Sequence, residues 1–251
     1  MTPEVATERY DRIGAVYARH RRPDPRLQAQ IDRALGDARR VVNVGAGTGS
    51  YEPVGRRVVA VEPSAVMISQ RRTPGTPVVQ TVAERLPFED DSFDAAMAIF
   101  TVHHWTDPGA GLRQMARVAP RVVVLTFDPV VHNTFWLVQD YLPESNALAS
   151  TNGLGPEAVA ETIGADDIEV VPVPADCIDG FNWAYWRRPA AYLDPEVRAC
   201  ISGLALLDDD LVAARMEKLR SDLVDGTWDE RHGALMDHDT IDGGLRLVIR
   251  H

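Results

Sequence analysis

The hydrophobic positions of the chain follow two alternating patterns. In the first, consecutive apolar residues form short runs, such as VVNV at 41–44, VVAV at 58–61 and VVVL at 122–125. Such runs are typical of strands that are buried on both faces of a sheet. In the second, apolar residues recur every three or four positions, as in LQAQIDRAL at 27–35, and this spacing predicts amphipathic helices. The alternation predicts an α/β fold with a largely parallel sheet and helices on both faces.

Turn residues between these runs set the predicted boundaries. Strands are predicted at 39–45, 56–64, 76–84, 94–104, 121–129, 167–174 and 245–251. Helices are predicted at 4–20, 27–35, 64–72, 108–119, 132–142 and 156–164. Between about 176 and 240, helical and aromatic segments separate the last two strands. We interpret this segment as a cap or lid inserted into a single domain that spans residues 1–251.

Composition and charge exclude several classes of partner. The net charge of −11 argues against a nucleic-acid backbone as partner, because such partners are usually met by clustered Lys and Arg. No apolar run approaches the roughly 20 residues that a membrane span requires, and the N-terminal segment lacks the apolar core of a secretory signal. Cys177 and Cys200 form no CxxC pair and suit a reducing compartment. We therefore predict a cytoplasmic protein without nucleic-acid or membrane partners; the sequence carries no signal for its oligomeric state.

A glycine-rich stretch follows the first predicted strand. Gly45, Gly47 and Gly49 lie where ligands bind in open parallel sheets, and bare glycines let the backbone turn sharply against a ligand. A phosphate-binding P-loop would need a nearby lysine, and a GxGxxG dinucleotide fingerprint would place the third glycine one residue later. A tight turn without a ligand is the alternative. Glu62, at the end of the second strand, favours a cofactor with a ribose, whose hydroxyls a carboxylate can bind.

Four motifs together carry a family resemblance. The order GAGTG, VEPS, AERLPFEDDSFD and HHWTDP resembles the class I S-adenosylmethionine-dependent methyltransferases. It is most similar to their small-molecule branch, which includes ubiquinone/menaquinone-type and natural-product enzymes. The resemblance covers residues 5 to 130 well and the final strands loosely. It implies a Rossmann-like, seven-stranded, mostly parallel sheet with a helical cap before the last strand, and S-adenosylmethionine as the cofactor of methyl transfer to a small-molecule acceptor.

The resemblance also implies positions for the cofactor contacts. The methionine part would face Gly45, Ala46, Gly47, Gly49 and Phe100, the ribose would face Glu62, and the adenine would face Pro63, Met67, Ala83 and Glu84. Residues 1–25 resemble a cofactor-covering helix, with Tyr17 and Arg22 towards the carboxylate of the cofactor. Two positions depart from the family, which commonly has acidic residues where this chain has Asn43 and Val82. We expect these departures to weaken cofactor binding.

Two adjacent histidines are the candidate catalytic groups. Relatives from natural-product pathways that share the HH pair use a histidine there, with an aspartate after the fifth strand. The resemblance thus implies His103 as the general base, His104 as a cofactor or supporting contact, and Asp128 as the group that orients the base. The alternative is that both histidines close the strand through backbone hydrogen bonds. No metal site is predicted, because neighbouring side chains on a strand point apart and no third ligand is apparent.

The segment FNWAYWRRPAAY, at 181–192, is rich in aromatic residues. These residues either shape a pocket for a bulky or planar acceptor or pack the insertion onto the sheet. We predict that the acceptor atom is a hydroxyl oxygen, with carbon and nitrogen left open. The alternatives are an NAD(P)-dependent oxidoreductase, and a binding or cyclisation protein that kept the fold without methyl transfer.

Overall fold

The computed structural model of the protein describes residues 20–71, 73, 75–145, 154–201, 203–205 and 207–251. The predicted helix at 4–20, with Tyr17, lies almost wholly outside the described residues. The strands are β1 (Arg40–Val44), β2 (Arg57–Val61), β3 (Val78–Val79), β4 (Ala95–Ile99), β5 (Arg121–Phe127), β6 (Asp167–Val170), β7 (Val173–Pro174), β8 (Thr240–Ile241) and β9 (Leu245–Arg250).

Seven of these strands form one sheet in the order β3-β2-β1-β4-β5-β9-β6. The pairs among β1 to β5 are parallel, whereas β9 runs antiparallel to both of its neighbours, β5 and β6. This arrangement confirms the predicted seven-stranded, mostly parallel sheet. The strand order reverses direction between β1 and β4, and such switch points are where open α/β sheets bind ligands.

Every predicted strand is shorter in the structure than the sequence pattern indicates, and the one predicted at 76–84 is reduced to Val78–Val79. The apolar run at 167–174 divides into β6 and β7, because Pro172 has no N–H to donate to a strand ladder. β7 pairs with β8 in a separate two-stranded sheet instead. The predicted strand at 94–104 ends at Ile99, because Phe100 adopts a φ of 56°, outside the extended region.

The helices cover both faces of the sheet. They are α1 (Pro25–Ala34), α2 (Ala65–Ser69), α3 (Pro108–Val118), α4 (Pro129–Thr134), α5 (Pro156–Ile163), α6 (Pro195–Ala199), α7 (Asp209–Asp225) and α8 (Thr227–His232). The predicted helix at 132–142 is replaced by α4 and a π-helical turn at Leu137–Tyr141. Four helices begin with Asp-Pro, and in each the carboxylate of the aspartate accepts a backbone N–H of the first turn; these aspartates are Asp24, Asp107, Asp128 and Asp194.

The alternation of side chains along the strands creates two hydrophobic cores. In β1, Val41 packs in the same core as Leu27 of α1, whereas Val42 packs on the other face with Leu112 of α3. Successive residues of a strand point to opposite faces, so both faces of this central strand are apolar. The short apolar runs of the sequence are therefore strands buried on both sides, as predicted.

The segment between about 176 and 240 lies on the α1 side of the sheet. It contains α6, α7 and α8, and the β7–β8 pair joins its two ends. Trp186, Tyr192 and Trp228 in this segment are completely buried in the same core as α1 and the sheet. Much of its aromatic content therefore serves packing. No helix of the described residues is long and apolar enough to cross a membrane.

Candidate active site

The glycine loop lies at the switch point of the sheet. Gly45, Gly47 and Gly49 have φ values of 70°, 51° and 90°, in the left-handed region that favours glycine. A Cβ on Gly45 would lie 2.0 Å from Oγ1 of Thr101, which follows β4. The loop after β1 thus packs directly against the chain after β4, and only glycine fits at that contact.

Glu62, directly after β2, contacts the glycine loop. Its two carboxylate oxygens accept hydrogen bonds from the N–H groups of Gly47, at 2.8 Å, and Ser64, at 2.9 Å. The pKa of Glu62 is raised, because the effect of burial exceeds the opposite effect of these backbone hydrogen bonds. Each oxygen accepts one backbone hydrogen bond, so lone pairs remain for further donors. The predicted ribose-binding carboxylate therefore lies beside the glycine loop.

A buried ion pair below the loop is a feature that the sequence did not reveal. Arg71 pairs with Glu52, and both side chains are almost completely buried. Arg71 also donates to the carbonyl of Gly47 at 3.1 Å, and Asn43 Nδ2 donates to Glu52 at 3.2 Å. Asn43 Oδ1 and Glu52 Oε2 are buried without hydrogen-bond partners. Two unsatisfied acceptors therefore lie next to the first strand and its loop.

The residues predicted to face an adenine follow β2 and β3. Met67 is buried, and its methyl carbon lies 3.4 Å from where a Cβ on Gly47 would be. Pro63 is exposed, and Ala83 is buried at the start of a short 3-10 helix. Glu84 accepts the N–H of Asp107 at 2.9 Å, so its carboxylate holds the loop before α3.

Phe100 is strained and lies at the centre of the site. A φ of 56° is rare for a bulky side chain, and such strain is concentrated at functional sites. Its ring packs against Phe181 of the cap at 5.3 Å and Tyr51 at 6.1 Å, and the guanidinium of Arg21 lies over it at 5.6 Å. Phe100 thereby links the end of β4 to the cap segment.

His103 and His104 lie on a 3-10 helix, not on a strand. Their rings are 3.9 Å apart, so the expectation that they point away from each other was wrong, because the strand ends at Ile99. His103 is half-buried and packs against Phe127 at 5.6 Å, whereas His104 is exposed. Desolvation by the surrounding protein and the charge of Arg21 lower the pKa of His104. Burial, His104 and Arg21 together lower the pKa of His103 well below its usual value.

Asp128 follows β5 as predicted, but its carboxylate does not reach the histidines. It caps α4 by accepting the N–H of Val130 at 2.8 Å, and it faces Arg246 at 3.7 Å. No hydrogen bond joins Asp128 to His103 or His104. In this structure, the Asp128 carboxylate caps α4, and its role of orienting His103 stays a prediction.

Four aromatic rings form a continuous surface beside His103. We call Phe100, Phe127, Phe181 and Trp183 the aromatic wall; Phe181 contacts both Phe100 and Trp183, and Trp183 contacts Phe127 at 5.7 Å. Phe100 and Phe127 are half-buried, and the two cap residues are buried. The aromatic segment of the cap therefore divides into residues that pack the core and residues that face the site.

Arg21 connects the chain before α1 to the cap. Arg21 Nε lies 2.6 Å from Asp179 Oδ1, and the hydroxyl of Tyr51 donates to Asp179 Oδ2 at 2.8 Å. Asp179 is 1% exposed, so this ion pair is buried. Arg22 is exposed. In the part of the chain that the structure describes, no group of three or more His, Cys, Asp or Glu could hold a metal ion.

Comparisons with known proteins identify the family. Residues 42–122 match the family model described as a methyltransferase domain. The demethylmenaquinone methyltransferase of Renibacterium salmoninarum is 30% identical over 189 residues, which cover 71% of this chain and 76% of that protein. The enzyme of the same name from Mycolicibacterium vanbaalenii is 35% identical over 170 residues, covering 63% of this chain and 70% of that protein. This chain belongs to the class I S-adenosylmethionine-dependent methyltransferases.

A solved structure extends this similarity over the whole fold. The crystal structure of a candidate methyltransferase from an antibiotic biosynthesis pathway of Anabaena variabilis is 32% identical, with a TM-score of 0.85. The match covers 93% of this chain and 99% of that protein, so the similarity includes the cap segment. The NAD(P)-dependent oxidoreductase alternative is therefore set aside, and S-adenosylmethionine is the cofactor of this methyltransferase.

The residues of the methyltransferase site fit this cofactor. The bare glycine loop would accommodate the methionine part, and Glu62 would accept the ribose hydroxyls. The cofactor carries an ammonium group, which needs hydrogen-bond acceptors, and Asn43 Oδ1 and Glu52 Oε2 are buried acceptors without partners. Asn43 replaces the acidic residue that is common in the family, but the carboxylate of Glu52, which pairs with Arg71, lies next to Asn43. Val82, the second departure, is 41% exposed and directly precedes the 3-10 helix that begins at Ala83.

Proposed function

We propose that this methyltransferase methylates a hydroxyl oxygen of a small metabolite or natural product, and that His103 removes the hydroxyl proton. One observation carries the proposal: the imidazole of His103 lies against Phe127 of the aromatic wall, two residues after Thr101, which touches the glycine loop. The names of the similar proteins, which refer to menaquinone and to antibiotic biosynthesis, support a small-molecule acceptor.

The residues around His103 suit proton removal. When bound, S-adenosylmethionine supplies a methyl carbon that the acceptor oxygen attacks, and the electron pair of the broken carbon–sulfur bond stays on sulfur. The hydroxyl proton moves to a ring nitrogen of His103, which is neutral at pH 7 because its pKa lies well below 6.5. The positive charge of Arg21, which lowers that pKa, also stabilises the negative charge that develops on the acceptor oxygen. The ring of His104 lies against that of His103, tilted by 49°, and supports it.

The charges near the site favour a hydroxyl over an amine as the acceptor. Alkylamines are mostly protonated at neutral pH, so a site for them usually presents a carboxylate. The carboxylates of Asp128 and Asp179, which lie at this end of the sheet, are engaged with the start of α4 and with Arg21. The rings of the aromatic wall, which are tilted against one another by 31° to 56°, offer aromatic contacts that suit a planar acceptor.

Replacing His103 by glutamine should lower kcat by about 10² to 10⁴, because the proton then has no base of suitable basicity. Turnover would be measured with a hydroxylated aromatic acceptor found by screening, and the binding of S-adenosylhomocysteine would be measured in parallel. We expect the affinity for S-adenosylhomocysteine to stay unchanged. The matched control is His104→Gln, which should have a smaller effect. Full turnover in the His103→Gln enzyme would remove His103 from the mechanism.

The pH profile gives a second test of the same assignment. A base works in its deprotonated form, so activity is lost when the pH falls through its pKa. Because burial and neighbouring charges lower the pKa of His103, the acid limb of kcat/KM should lie well below pH 6.5 in the native enzyme. An acid limb at or above pH 6.5 would contradict the assignment.

A further inference from the structure

We infer that His132 donates a hydrogen bond to the acceptor from a second position on the aromatic wall. The acceptor is then a planar aromatic hydroxyl compound that carries a hydrogen-bond-accepting group remote from the methylated oxygen. This inference rests on the proposed function and adds the chemical class of the substrate to it.

His132 is a buried polar side chain whose ring has no partner. It is 7% exposed, and within the described part of the chain neither ring nitrogen makes a hydrogen bond. Nδ1 is completely buried, whereas Nε2 retains accessible surface. Buried polar atoms without partners are uncommon in native proteins, and each one calls for an explanation such as a ligand or catalytic role.

The environment of His132 determines which nitrogen carries the proton. A buried N–H without a partner is rarer than a buried acceptor without one. The neutral ring is therefore expected to keep its proton on Nε2, and Nδ1 keeps an unshared lone pair. Burial lowers the pKa of His132 to about 4, so the ring is neutral at pH 7. Nε2–H is then a hydrogen-bond donor that faces the accessible side of the ring.

His132 and His103 contact the same ring of the aromatic wall. Each imidazole centroid lies 5.6 Å from the centroid of Phe127, so the two imidazoles are no more than twice that distance apart. His132 also packs against Trp183 at 5.2 Å. A single aromatic ring with polar groups at both ends, plus one hydrogen bond of about 2.8–3.0 Å at each end, spans a distance of this order. A planar acceptor lying on Phe127 could therefore contact both histidines.

The start of α4 fixes His132 in this position. Asp128 caps the helix, and the N–H of Asp128 donates to the carbonyl of Gly244 at 2.7 Å. Gly244 has a φ of 95°, and a Cβ there would lie 3.4 Å from the backbone nitrogen of His132. The aspartate after β5 thus acts on the acceptor site through His132.

Binding of two probes of equal shape tests this inference. 4′-Hydroxyacetophenone and 4-isopropylphenol have the same number of non-hydrogen atoms, but only the first carries a carbonyl acceptor opposite its hydroxyl. Each would be titrated into the full-length protein saturated with S-adenosylhomocysteine, which prevents turnover. We expect the native protein to bind the ketone about five- to tenfold more tightly, as one added hydrogen bond allows. His132→Phe should abolish the preference, His132→Gln should retain part of it, and His103→Gln should retain it.

Nitrogen-15 NMR of the native protein measures the tautomer of His132 without any substitution. We expect the Nε2–H tautomer for His132, and a shift of its resonances on addition of the ketone but not of 4-isopropylphenol. A proton on Nδ1, an unchanged preference in His132→Phe, or no binding of either probe to the loaded protein would overturn the inference. Failure to bind S-adenosylhomocysteine itself would instead contradict the proposed function.

Discussion

Replacing Gly45 by alanine should disrupt the cofactor site. The new Cβ would lie 2.0 Å from Thr101 Oγ1, and Thr101 is itself held because its Oγ1 accepts the indole N–H of Trp105 at 3.2 Å. The φ of 70° adds a penalty of about 1–2 kcal/mol for any residue with a Cβ, and overpacking typically costs about 1–3 kcal/mol. We therefore expect a loss of about 2–5 kcal/mol in the free energy of unfolding. Binding of S-adenosylhomocysteine, measured by calorimetry, should weaken at least about tenfold.

Gly55→Ala is the matched control for Gly45→Ala. Gly55 has a φ of 80°, similar to that of Gly45, but a Cβ there would have no neighbour within 4 Å. This variant should lose only the backbone penalty of about 1–2 kcal/mol and keep its affinity for S-adenosylhomocysteine. Equal affinities of the Gly45 and Gly55 variants would show that the contact with Thr101 does not shape the cofactor loop.

Replacing Asp179 by asparagine should cause a large loss of stability. The change removes the buried negative charge that pairs with Arg21, and it weakens the hydrogen bond from Tyr51. Breaking a buried ion pair by removing one charge typically costs about 3–5 kcal/mol. We expect a loss of this size in the free energy of unfolding, measured by urea denaturation at pH 7.

Asp176→Asn provides the control for Asp179→Asn. Asp176 also pairs with an arginine, Arg26, at 2.6 Å, but its side chain is 82% exposed. Exposed ion pairs contribute about 0–1 kcal/mol, so the stability of this variant should change little. A loss in Asp179→Asn no greater than that in Asp176→Asn would show that the link between Arg21, the glycine loop and the cap is not a stabilising element.

The parts of the site that local sequence determines were predicted correctly in position. The glycine loop and Glu62 each follow a strand directly, and parallel strands bring their carboxyl ends to one edge of the sheet. Gly45, Gly47 and Glu62 therefore lie together as expected. The seven-stranded sheet also follows from local signals, because its central strands are apolar on both faces.

Asp128 shows that one local signal can have two interpretations. Its position after β5 agreed with the resemblance, but the dipeptide Asp-Pro is also a helix start, and four helices of this chain begin with it. Capping satisfies backbone N–H groups at the start of a helix, and the Asp128 carboxylate is engaged in this way. The two histidines were predicted on a strand but lie on a 3-10 helix. The apolar run carries no signal that the strand ends before Phe100.

The remaining features depend on contacts between distant parts of the chain. Arg21 meets Asp179, and Glu52 meets Arg71, across separations of 158 and 19 residues. His132 contacts Trp183 of the cap, which lies far away in the sequence. The sequence alone therefore does not predict the surroundings of His132. Periodicity and motif spacing describe single elements, so they do not reveal which side chains of different elements meet.

The identity of the methylated atom tests the central claim most directly. The protein would be incubated with S-adenosylmethionine labelled with carbon-13 in its methyl group, together with 4′-hydroxyacetophenone or its amine counterpart, 4′-aminoacetophenone. The carbon-13 chemical shift of the product distinguishes oxygen-, nitrogen- and carbon-linked methyl groups. We predict label on the phenolic oxygen, with the yield strongly reduced in His103→Gln. Label on nitrogen or on a ring carbon, or no transfer to the phenol, would contradict a hydroxyl-directed methyltransferase.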